Sequence, residues 1–68
     1  MSEVKVVAIT ERNIKWTPGG YSESKEAIIR DGKINYLPTL ERYIVEADPD
    51  GAIEFLQAIK RAMAETRK

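Results

Sequence analysis

The chain has 68 residues, 43% of them apolar and 32% charged, and eleven Lys and Arg balance eleven Asp and Glu. That length makes one small domain spanning residues 1–68. The absence of Cys and His excludes disulfides, thiolate zinc sites, thiol nucleophiles and every His-dependent triad, and zero net charge argues against a general phosphate-backbone binder.

No apolar run reaches the length of about 18 residues that a membrane span needs. Met1-Ser2-Glu3-Val4-Lys5 has neither the basic start nor the apolar stretch of a signal peptide. A cytoplasmic protein without membrane contact is expected.

Glu3 to Thr10 reads as a strand rich in β-branched residues. Alternation puts Val4, Val6 and Ala8 on one face and Val7 and Ile9 on the other. Glu11-Arg12-Asn13 is expected to break this run, and Ile14-Lys15-Trp16 to resume it after a bulge or bend. Thr17-Pro18-Gly19-Gly20 reads as a turn, with Trp16 and Tyr21 facing each other across a hairpin.

Residues 22–31 admit two readings. Asp31-Gly32 between Ile28-Ile29 and Ile34 is a strong hairpin signal, and this reading is favoured. Ser22 to Gly32 also reads as a short capped helix. Arg42 to Ala47 is read as a strand, because Ile44-Val45 is β-branched and Pro49 is near. The spacing of Leu40, Tyr43, Ile44 and Ala47 also fits a helix.

The last element is a helix. Asp48 is its N-cap, Pro49 its first residue, and Asp50 suits its dipole. Ala52, Phe55, Leu56, Ile59, Ala62 and Met63 form an apolar stripe with Ile53 at its edge. Gly51 is a mismatch, costing about 1 kcal/mol in a helix interior but less in a first turn. The fold class is α+β: a small antiparallel β-β-β-β-α meander, alternatively β-α-β-β-α, with the C-terminal amphipathic helix on one face.

One helix covers one sheet face. Val7, Ile9, Ile44 and Trp16 would leave the other face apolar, which calls for a cover. A domain of about 60 residues also buries only about 60% of its unfolded surface, so oligomerisation is a natural way to enlarge the core. The sequence therefore predicts a non-enzymatic binding or regulatory module working through protein contacts, as a homodimer. Its contact residues would be Trp16, Tyr21, Val7, Ile9 and Ile44. The alternative is a single-stranded nucleic-acid binder, stacking bases on sheet aromatics beside Lys15, Lys25, Lys33, Arg67 and Lys68.

No cofactor or metal is predicted. Asp48-Pro49-Asp50-Gly51 starts like a calcium loop, but Ala52 and Ile53 break the pattern. Thr17 to Lys25 lacks the spacing of a phosphate-binding loop. Glu41, Glu46 and Glu54 have no spacing that makes an acid/base pair.

Overall fold

Three strands and two helices follow in chain order: β1 Glu11–Trp16, β2 Lys25–Arg30, β3 Lys33–Tyr36, α1 Arg42–Ala47 and α2 Pro49–Thr66. They belong to a computed structural model that describes residues 9–67. The sheet is antiparallel in the order β1-β2-β3, and the class is α+β. Of the strand predicted over Glu3 to Thr10, the part up to Ala8 lies outside the described residues. Ile9 and Thr10 belong to no strand.

The four-strand meander is corrected in two places. Glu11-Arg12-Asn13 does not break a strand but begins β1. Its polar residues alternate properly: Arg12, Ile14 and Trp16 turn toward α2, while Glu11, Asn13 and Lys15 turn away. Arg12 lies on that face with its guanidinium 3.6 Å from Glu65 of α2.

Arg42–Ala47 is a helix, not a strand. Leu40, Ile44 and Val45 pack on the core at helical spacing, while Tyr43 and Ala47 face out. Burial of that one stripe outweighs the weak β preference of Ile44-Val45.

The hairpin at Asp31-Gly32 forms as the sequence predicts. Asp31 at φ 53 and Gly32 at φ 78 supply the two positive φ angles of a type I′ turn. The end of α2 is fastened to this turn. Gly32 N donates to the buried Thr66 Oγ1 at 3.0 Å, and Thr66 Oγ1 donates to Ala62 O at 2.7 Å.

The Trp16–Tyr21 hairpin is corrected as well. Trp16 pairs with Lys25, so the connection runs over residues 17–24. Tyr21 N closes a turn by donating to Pro18 O at 3.0 Å.

Helix α2 lies over β1 and β2. The core comprises Trp16, Ala27, Ile29, Ile44, Ala52, Phe55, Ile59 and Ala62. The second apolar sheet face does not form among the described residues, because Trp16 and Ile44 both belong to this core. The outward face carries Glu11, Asn13, Lys15, Glu26 and Arg30 around a half-buried Ile28. Arg30 and Glu11 pair across it at 2.6 Å.

Candidate functional site

A pocket of about 250 Å³ opens between the 17–24 connection and α1. Pro18, Tyr21 and Ser22 to Ser24 line one wall, Lys25 the base, and Glu41, Tyr43 and Ile44 the other wall. Lys25 is the first residue of β2 and lies on its helix-facing side, opposite Trp16. Its Nζ therefore reaches across to the start of α1 and donates to Glu41 Oε1 at 3.0 Å. The two side chains are 17% and 31% exposed, so the pair is largely shielded.

Glu41 stands at the N-cap of α1 without capping it. Its carboxylate serves the pocket instead, and its Oε2 accepts a long bond from the Tyr43 hydroxyl at 3.4 Å. The Tyr43 ring stands 6.2 Å from the Tyr21 ring at 53°. These two exposed tyrosines form the rim. A bond of 2.7 Å between Thr17 Oγ1 and Ser24 Oγ ties the ends of the connection together.

Asp48 holds the site from behind. Its Oδ2 accepts from Trp16 Nε1 and from Gly19 N, both at 3.1 Å. Its Oδ1 accepts from Gly51 N at 3.1 Å, which is the predicted N-cap. One carboxylate thus joins β1, the connection and α2. The Trp16 indole, then the Gly19 and Gly51 amides, hold the Asp48 carboxyl below its usual 3.8, with burial opposing weakly.

A carboxyl lowered in the folded state adds stability that is present above the ordinary pKa and lost as pH falls through the folded one. Thermal melts from about pH 5 to about pH 2 should therefore narrow the gap between wild type and Asp48→Asn. A gap that stays constant or widens toward acid contradicts the hub.

The residues predicted from sequence are dispersed. Trp16 and Ile44 are 7% exposed in the core, although Ile44 also edges the pocket. Tyr21 reaches the rim. Ile9 is exposed before β1, and Val7 lies outside the described residues. Of the cationic set, Lys25 is turned inward onto Glu41. Lys15 sits at one end of the outward sheet face, where its partner across the ladder is Glu26. Lys33 and Arg67 lie at the other end, beside the Gly32 turn. Lys68 lies outside the described residues.

The sequence does not bring Tyr43 and Glu41 together as site residues. The helical spacing of Tyr43 was the available signal.

Among the described residues no three His, Cys, Asp or Glu side chains group to hold a metal ion. No helix among them is long and apolar enough to cross a membrane. The chain matches no protein-family model, no curated protein and no solved structure.

Proposed function

We propose that this chain is a small non-enzymatic binding module that acts through protein contacts as a homodimer, and that the tyrosine-rimmed pocket receives a partner's side chain. The observation that carries the reading is the rim itself: Tyr21 and Tyr43 are exposed over a base whose charges, Lys25 and Glu41, already neutralise each other. Tyrosine is enriched at protein interfaces because it offers a rigid apolar ring with a polar tip. A volume of about 250 Å³ is below the roughly 300–1,000 Å³ of small-molecule and cofactor sites. It suits one or two side chains of a protein.

The nucleic-acid reading has less support. Lys15 lies at the opposite end of the sheet from Lys33 and Arg67, and Lys25 is paired.

A photo-crosslinking residue in place of Tyr43 tests the pocket in cells, with one in place of Glu54 as control. A single discrete protein adduct is expected from position 43 only, and Tyr21→Ala should abolish it while Trp16 fluorescence stays native. An adduct that forms equally from both positions, or that survives Tyr21→Ala, overturns the reading. For the identified partner, Tyr43→Ala should weaken affinity about tenfold or more, as rim tyrosines at interfaces do. A titration that shows an unchanged affinity contradicts it.

A further inference from the structure

We propose that the side chain received by the tyrosine-rimmed pocket is an arginine of the partner protein, its guanidinium laid on a tyrosine ring and its N–H groups donating to Glu41. This rests on the pocket being a protein contact, as proposed above, and names the chemistry of what enters it.

The charges of the pocket leave a negative surplus. Glu23, Lys25 and Glu41 are its charged lining residues. Lys25 Nζ is bound to Glu41 Oε1 at 3.0 Å. Glu23 stands exposed on the 17–24 connection and forms no ion pair among the described residues. Two carboxylates against one ammonium leave one negative charge unmatched. A cationic side chain answers that surplus, and an anionic one is repelled by it.

The hydrogen-bonding groups point to the same occupant. A carboxylate offers about four acceptor sites on its two oxygens. On Glu41 the Lys25 ammonium takes Oε1, and Oε2 holds only the long 3.4 Å bond from the Tyr43 hydroxyl. Glu41 lines the pocket with its side chain 31% exposed. A donor entering there competes for Oε2 with the Tyr43 hydroxyl alone among the described residues. A charged N–H seated at about 2.8 Å makes the stronger bond.

The rim adds a third attraction for a cation. The face of an aromatic ring is its negative side and draws a cation to within about 6 Å of the centroid. Tyr21 and Tyr43 are 40% and 58% exposed, with their rings tilted at 53°. Tilted rings do not cover one another as a parallel stack does, so a ring face stays open to a ligand.

Arginine suits this arrangement better than lysine. Its guanidinium is planar, weakly hydrated and able to stack on a ring while its fork of donors reaches a carboxylate. A compact ammonium would set its whole charge beside Lys25 Nζ, which already occupies the base.

The probes are the N-acetyl, N-methylamide forms of arginine, lysine, citrulline and glutamate, titrated into the full chain and followed by amide NMR shifts. Citrulline keeps the shape of arginine but carries a neutral urea. The arginine probe should give saturable shifts at Ser22, Ser24 and Tyr43, with a Kd on the order of 10 mM. Lysine and citrulline should bind about fivefold more weakly or worse. Two substitutions should then move the arginine affinity in opposite directions, with native Trp16 fluorescence. Glu23→Gln removes the unmatched charge and should weaken binding about threefold. Lys25→Met removes the competing cation, frees Glu41 Oε1 and should strengthen binding about threefold. A purely structural Lys25–Glu41 pair would instead give a loss. If Lys25→Met unfolds the chain, the exposed Glu23→Gln and the probe series decide. Any other probe binding as tightly as arginine, both variants shifting affinity the same way, an affinity that ignores Glu23→Gln, or no saturable shift up to about 50 mM overturns the arginine assignment. The adduct from position 43 decides the pocket itself: a specific adduct without arginine preference leaves the pocket standing, and an unspecific one overturns both.

Discussion

Gly51→Ala is expected to destabilise the protein, although Gly→Ala inside a helix ordinarily stabilises by up to about 1 kcal/mol. A Cβ at position 51 would fall on the Asp48 carboxylate and within 2.6 Å of Trp16 Nε1. Neither neighbour can retreat without giving up a contact. Trp16 is buried and stacked on Phe55 at 5.4 Å, and Asp48 is also bound by Gly19. Overpacking of this kind costs about 1–3 kcal/mol. In a domain this small that is a Tm loss on the order of 10 °C. Thermal melts followed by Trp16 fluorescence check it, and an Ala variant that melts at or above wild type contradicts the packing described around Asp48.

The second large effect is expected from Phe55→Ala. Phe55 is 3% exposed, faces the sheet and carries the Trp16 stack. Truncating a buried Phe costs about 3–5 kcal/mol. At roughly 0.05–0.15 kcal/mol per residue, 68 residues hold about 3–10 kcal/mol in all. Phe55→Ala should therefore leave the chain largely unfolded, or with a midpoint far below wild type in urea. Ile53→Ala, two residues earlier and 54% exposed, should change stability by about 0.5 kcal/mol or less. Equal losses at both positions would mean that α2 does not turn its Phe55 face to the sheet.

These two variants mark where the sequence was and was not legible. The start of α2 was readable, because Asp48 and Pro49 act on the backbone beside them. The Asp31-Gly32 hairpin was readable for the same reason, since a type I′ turn demands positive φ at two adjacent residues. Gly51 was visible only as an anomaly. Its cause is the Asp48 carboxylate, held over it by a tryptophan far off in the chain and brought beside it by the fold. Arg12 concealed the start of β1, since an inward Arg makes sense only once Glu65 is known to lie opposite.

Ile44 and Val45 misled for a related reason. Their β-branched character is local, but the core stripe they complete with Leu40 is not. The candidate pocket was the least legible part. Tyr21 and Lys25 were singled out for separate reasons, and Glu41 only as a surface carboxylate. Their convergence depends on β2 beginning at Lys25, directly across from Trp16. No local pattern fixes that register, because the 17–24 connection is longer than the tight turn its Pro and Gly residues suggest.

Light scattering of the full chain over a range of concentrations tests the central claim most directly, with absorbance at 260 and 280 nm read on the same peak. The account predicts a mass of twice 7.7 kDa with a protein-like absorbance ratio. A mass of 7.7 kDa at every concentration, or raised absorbance at 260 nm, would contradict it.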